Sequence, residues 1–158
     1  MRGFNIVHIV PKGILTPNMQ DTIKEVARIY KSTYAPLIVF GSTAEYQNIN
    51  ALYADSLSAS QPEEGNDIAA AINLTVAKTA SRTLAVVHAQ YCTTLDYASV
   101  GKALGAAPAR IGFVFIAKDD LVATLLRRNG SSQTYVATYS ELMEKNLSAL
   151  KRAVNRMK

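Results

Sequence analysis

The sequence predicts a single α/β domain spanning residues 1–158. Its sheet is expected to have five mostly parallel strands, with helices on both faces in the doubly wound manner and a polar edge strand that can run antiparallel. Three observations lead there. Short runs rich in β-branched residues alternate with segments of helical period. Most of those runs are apolar on both faces, as strands covered on both sides must be. And 158 residues, 49% apolar and only 18% charged, supply one core without a disulfide or metal staple.

The first run, Phe4 to Val10, is apolar apart from Asn5 and His8, and Pro11 closes it. Thr16-Pro17 then reads as a helix start, with threonine at the cap and proline at the first helical position. Met19, Ile23, Val26, Ala27 and Tyr30 follow at helical spacing, which carries the helix to about Thr33. Pro36 to Phe40 is a short buried strand, ended by Gly41. Ser42 and Glu45 have capping-box spacing, and Ile49, Leu52, Tyr53 and Leu57 continue a helical face. A second helix is therefore expected over these residues. Ser58–Asn66 is the most polar stretch and reads as a loop.

Asn66 is the expected cap of a third helix carrying Ile68, Ala71, Ile72, Thr75 and Val76. Thr83 to Tyr91 reads as a strand. Thr94 or Asp96 opens a short helix that Gly105 is expected to cap at its C-terminal end. Ile111 to Ala117 is a buried strand. Asp119-Asp120 and Arg127-Arg128 sit at the two ends of the next helix, where each charge suits the helix dipole. Gln133 to Tyr139 has strong β propensity and enough polarity for an edge. Ser140 is then the expected cap of a last helix, striped by Met143, Leu147, Leu150, Val154 and Met157.

The single cysteine, Cys92, cannot make an intramolecular bridge or a cysteine-rich zinc site. It suggests a reducing compartment, and a cytoplasmic protein is expected. The N-terminal apolar run is too short for a signal-peptide core, and no stretch approaches the roughly 20 apolar residues of a membrane span. The net charge of +5 is uneven. Residues 1–100 hold seven Lys/Arg and eight Asp/Glu, and residues 101–158 hold ten and four. The C-terminal helix is thus basic, either as a solvated face or as a surface for an acidic partner.

Ligands in open α/β sheets settle beyond the carboxyl ends of the strands. The segments to search are Pro11–Thr16, Gly41–Glu45, Cys92–Asp96, Lys118–Asp120 and Ser140–Glu141. Gly41, Ser42 and Thr43 are the foremost candidates: a glycine beside a capped helix start can bring backbone amides to an anion. Lys12, after the first strand, would add a cation if the two strands are neighbours. Against this, Ser42 can simply cap, and the Glu45 carboxylate competes for the same amides.

His8 and His88 would converge if their strands pair, and His88, near its strand end, is the candidate acid or base. Cys92 lies about 13 Å along the strand from His88, too far for a catalytic pair. Asp119 and Asp120 can ligate Mg²⁺ but are explained by their helix start. Walker, dinucleotide-fingerprint, serine-elbow and zinc-site patterns are absent, which disfavours those chemistries and leaves any cofactor unknown.

Two functions remain. One is a protein that binds an anionic small molecule, as a sensor or metabolic enzyme, through Lys12, Gly41, Ser42 and Thr43, with His88 as the catalytic group. The other is a non-catalytic assembly subunit that forms a homo-oligomer and uses its basic C-terminal helix on an acidic partner. Nucleic acid is a conceivable partner without any motif in its favour.

Overall fold

Apolar, largely β-branched runs form β-strands in a six-stranded sheet, which a polar strand and a short edge strand complete. The computed structural model describes residues 3–12, 16–31, 34–41, 43–50, 67–90, 95–130, 134–145 and 147–157. In chain order the elements are β1 (Asn5–Pro11), α1 (Pro17–Tyr30), β2 (Tyr34–Phe40), β3 (Ala44–Asn50), α2 (Ile68–Lys78), β4 (Thr83–Ala89), α3 (Tyr97–Ala106), β5 (Ile111–Ala117), α4 (Asp120–Asn129), β6 (Thr134–Thr138), α5 (Tyr139–Glu144) and α6 (Ser148–Arg156). The strand order is β3-β2-β1-β4-β5-β6. Every neighbouring pair is parallel except β2 with β3.

The expected α/β class and mostly parallel sheet are present, with three changes in detail. The first concerns Ala44–Asn50, expected as part of a helix, which is instead strand β3. Gly41 N–H donates to Thr43 O at 2.9 Å, which closes a tight reversal. The chain then returns along the free edge of β2, with Phe40 opposite Ala44 and Tyr34 opposite Asn50. Backbone pairing along seven residues outweighs the helical spacing that begins at Ile49. Ser42 and residues 51–57, the rest of that expected helix, lie outside the described residues. The second change follows from the first: β3 is the antiparallel edge, while β6 is an edge strand but parallel to β5.

The third change is at the C-terminus, where one expected helix is two. Thr138, not Ser140, caps α5. Its hydroxyl accepts from Glu141 N–H, and the Glu141 carboxylate accepts from Thr138 N–H. Leu147 then takes a left-handed conformation, φ 59, and its N–H closes back on Leu142 O at 2.8 Å. A leucine in that conformation is strained by roughly 1–2 kcal/mol. Burial of its side chain among α5, α6 and the sheet offsets this. The stripe survives the break, because Leu147, Leu150, Val154 and Met157 are all buried.

Smaller differences concern caps. Asp67 caps α2 through Ala70 N–H, and Asn66 lies outside the described residues. Asp96 caps α3 through Ser99 N–H. Gly105 lies within α3, whose C-terminal cap is Ala107.

Strand alternation sorts the core into two layers. Val7, Ile9, Ala85, Val87, Phe113 and Phe115 face α2, α3 and α4. Ile6, Leu84, Val86, Val114 and Ile116 face α1, α5 and α6. Each large side chain so buried contributes roughly 1.5–3 kcal/mol. Gly112 lets α6 approach β5 closely, since a Cβ there would lie 3.1 Å from Ala153 O. Among the described residues no helix is long and apolar enough to cross a membrane.

Candidate functional site

The helix after β1 packs on one face of the sheet and the helix after β4 on the other. Neighbouring β1 and β4 therefore form a topological switch point, where open sheets leave a crevice at their carboxyl ends. A cleft of about 430 Å³ opens at that end, beyond β4, β5 and β6, on the face of the sheet that carries α1 and α5. Asn18, Gln90, Lys118, Thr138, Tyr139 and Ser140 line it, with Ala117.

Local structure explains how each arrives. Asn18 occupies the first turn of α1, because Thr16 caps that helix through Met19 N–H and Pro17 starts it. No acidic residue occupies this first turn, so the positive end of the α1 dipole is not neutralised from within. Gln90 follows the last residue of β4, and Lys118 the last residue of β5. Thr138 ends β6, and the sharp turn into α5 presents Tyr139 and Ser140.

The chemistry of the lining is one-sided. Among the described residues it holds an ammonium, two amides and three hydroxyls, and no carboxylate. Thr138 is engaged in its capping box, where its hydroxyl donates to Glu141 Oε1 at 3.2 Å. The Gln90 side-chain oxygen is buried and has no hydrogen-bond partner among the described residues. A buried acceptor left unpaired is costly, by about 1–3 kcal/mol, and such an atom in the wall of a cleft suits a donor brought by a ligand.

The residues foreseen from sequence lie elsewhere. Lys12 and the Gly41–Thr43 turn do come together, because β1 and β2 are parallel neighbours and Lys12 N–H donates to Phe40 O at 2.6 Å. But no helix begins at this turn, so the amide-rich helix end expected there is replaced by a strand reversal. The Gly41 carbonyl accepts from Asp67 N–H at 3.0 Å, which ties the turn to the start of α2. Thr43 is exposed in the turn, and Ser42 lies outside the described residues. Lys12 is paired with Glu45 on β3 at 3.5 Å.

His8 and His88 meet across β1 and β4. His8 Nδ1 lies 3.1 Å from His88 Nε2, with both rings buried. Burial pushes the His8 imidazole down to about 3. It also holds His88 well below the ordinary histidine range, with the neighbouring His8 adding to the effect. Both rings are therefore neutral and one donates to the other. Among the described residues His88 Nδ1 has no partner, and an unpaired acceptor is more common in buried structure than an unpaired donor. That assigns the proton to His88 Nε2, donating to His8 Nδ1. His88 does not line the cleft and belongs to the core.

Asp119 caps α4 through Val122 N–H at 2.9 Å. Among the described residues no group of three His, Cys, Asp or Glu side chains is placed to hold a metal. Cys92 and Thr94 lie outside the described residues. The strand-end rule did point to Lys118–Asp120 and Ser140–Glu141. It gave no reason to prefer Lys118 or Ser140, and nothing in the sequence marked Asn18 or Gln90.

No protein-family model matches the chain, and no curated protein sequence matches it. Solved structures do. An aerotolerance-related membrane protein from Bacteroides fragilis, carrying multiple mutations to serine, superposes with a TM-score of 0.66 at 14% identity, over 98% of this chain and 100% of that one. Proximal thread matrix protein 1 from the mussel byssus gives 0.60 at 12% identity, over 96% of this chain and 46% of that one. The ArnB paralog VWA2 from Sulfolobus acidocaldarius gives 0.54 at 13% identity, over all of this chain and 46% of that one. The chain thus spans about half the length of the latter two. At these identities the likeness is one of fold, a VWA-like α/β fold, and fold does not imply function.

Proposed function

We propose that the protein is a binding module that holds a small anionic molecule in the cleft beyond β4, β5 and β6. The observation that carries this is a lining that is acid-free among the described residues: Lys118, Asn18, Tyr139 and Ser140 around the Gln90 oxygen, which has no partner among them. Lys118 and the α1 dipole favour a phosphate or carboxylate. Gln90 asks for an N–H or O–H on the same molecule. A hydroxy acid, an amino acid or a phosphorylated sugar has both. The site is displaced from the Lys12–Thr43 region by one side of the sheet, and it keeps the class of ligand expected from sequence.

Binding without catalysis is favoured over an enzyme. The acid or base expected from sequence, His88, is buried and neutral against His8 and does not line the cleft. The compartment we infer is the cytoplasm, on the single cysteine.

A thermal-shift screen of phosphorylated and carboxylated metabolites tests the proposal. A ligand at 100 times its Kd stabilises by about 2.7 kcal/mol. For a chain of this length that is a rise of roughly 5–10 °C. The rise should vanish in Tyr139→Ala/Ser140→Ala. A rise that persists undiminished in that variant places the ligand elsewhere.

A further inference from the structure

Among the described residues β6 is the last strand of the sheet, and its outer edge has no strand beside it. In a parallel pair the N–H and C=O of one residue point to the same side and alternate along the strand. Val136 and Thr138 share the outward parity. Arg127 Nη2 donates to Val136 O at 3.0 Å, and Thr138 N–H donates to Glu141 Oε1 at 3.4 Å. Arg127 and Glu141 are themselves 3.9 Å apart. One side-chain pair, reaching from α4 on one face and α5 on the other, thus covers two edge groups. Edges left open are templates for pairing, and a charged cover of this kind blunts them.

The cover is weakly held. Half of the Arg127 side chain and a third of Glu141 are exposed, and exposed ion pairs contribute little. Beside it runs a groove of about 330 Å³ between β6, α5 and α6. Among the described residues Lys145, Arg152 and Arg127 line it against one acid, Glu141. The Arg152 guanidinium lies over the Tyr135 ring, 5.6 Å from its centre. Tyr135 is of inward parity and packs with the layer that faces α5 and α6.

We infer that the β6 edge is a docking site for an extended acidic peptide segment of another protein, which adds as a seventh strand. Carboxylates on one side of that segment meet Arg152 and Lys145. One of them takes Arg127 away from Val136 O and Glu141, and the uncovered Val136 carbonyl and N–H then pair with the peptide backbone. The groove's charge selects the occupant. A second copy would bring Arg127, Lys145 and Arg152 against the same three cations. This surface is separate from the cleft beyond β4, β5 and β6, so either reading can fail alone.

The test uses the full chain and a fluorescein-labelled octapeptide of alternating glutamate and valine, read by fluorescence anisotropy. Two further probes carry backbone N-methyl groups, one on every glutamate and one on every valine. All three have the same charge, but strand pairing needs the N–H groups of only one parity. Saturable binding is expected, weakening with salt. One methylated probe should lose at least about tenfold in affinity and the other stay close to the parent. Arg152→Glu should weaken the parent peptide by about tenfold or more. Equal binding of all three probes means charge attraction without strand addition and overturns the proposal. So does the absence of saturable binding at low salt, or tighter binding of an eight-residue oligothymidylate than of the peptide.

Discussion

Acid should unfold this protein through its two histidines. His8 and His88 are buried against each other and neutral. In the unfolded chain each titrates near 6.5; in the fold His8 titrates at about 3, and His88 is also held well below its ordinary value. A depressed folded value means that the unfolded chain takes up protons first. The stabilisation is complete above pH 6.5 and is lost as pH falls from there toward 3. Within that window His8 removes about 1.4 kcal/mol per pH unit. At pH 4.5, two units below the unfolded value, it removes about 3 kcal/mol, and His88 adds to the loss in the same direction. That is a large fraction of the stability of many domains, about 5–15 kcal/mol.

Urea unfolding followed by circular dichroism at pH 7.5, 6, 5 and 4.5 measures this. The control is His8→Leu/His88→Leu, which keeps roughly the same volume and removes both titrating rings. The carboxylates of Glu25 and Asp96, lowered by hydrogen bonds from Arg28 and Ser99, titrate equally in both proteins and cancel in the difference. From pH 7.5 to pH 5 the double variant should lose less stability than the parent, by about 2 kcal/mol or more. Parallel pH profiles for the two proteins would refute the reasoning. His8→Leu alone should be the worst of the set at pH 7.5, by about 1–3 kcal/mol, because it leaves both nitrogens of the buried His88 unpaired.

Two further outcomes are expected. Gly112→Ala places a Cβ 3.1 Å from Ala153 O and 3.2 Å from Met157 Cγ; it should destabilise by about 1–3 kcal/mol as α6 is pushed off β5, read as a lower urea midpoint. Gln90→Met removes the unpartnered buried oxygen at nearly constant volume. It should raise stability by about 1 kcal/mol, or roughly 2–4 °C in Tm, while weakening the cleft's ligand.

What could be read from sequence follows from what is local. β1, β4 and β5 are continuous apolar runs, and burial on both faces shows in them directly. Helix starts were legible where a capping residue precedes an apolar period, as at Thr16 and Asp119. β3 was not, because Tyr46, Gln47, Asn48 and Ile49 carry no strand alternation. They pair because β2 offers them an edge, which is a tertiary fact. The break at Leu147 was hidden for the opposite reason, since the stripe of apolar residues runs on through it. The cleft gathers Asn18, Gln90, Lys118 and Tyr139 from four separate segments, and its most telling atom, the Gln90 oxygen, is defined by a missing partner that no local pattern records.

Titration calorimetry of the parent and of Lys118→Ala with the strongest binder from the metabolite screen tests the anion cleft most directly. Lys118 is exposed, so its loss should leave the urea midpoint unchanged. Affinity should fall by about 10- to 100-fold, the worth of one charge-assisted hydrogen bond. An unchanged Kd in Lys118→Ala would contradict the assignment of this cleft as the anion site.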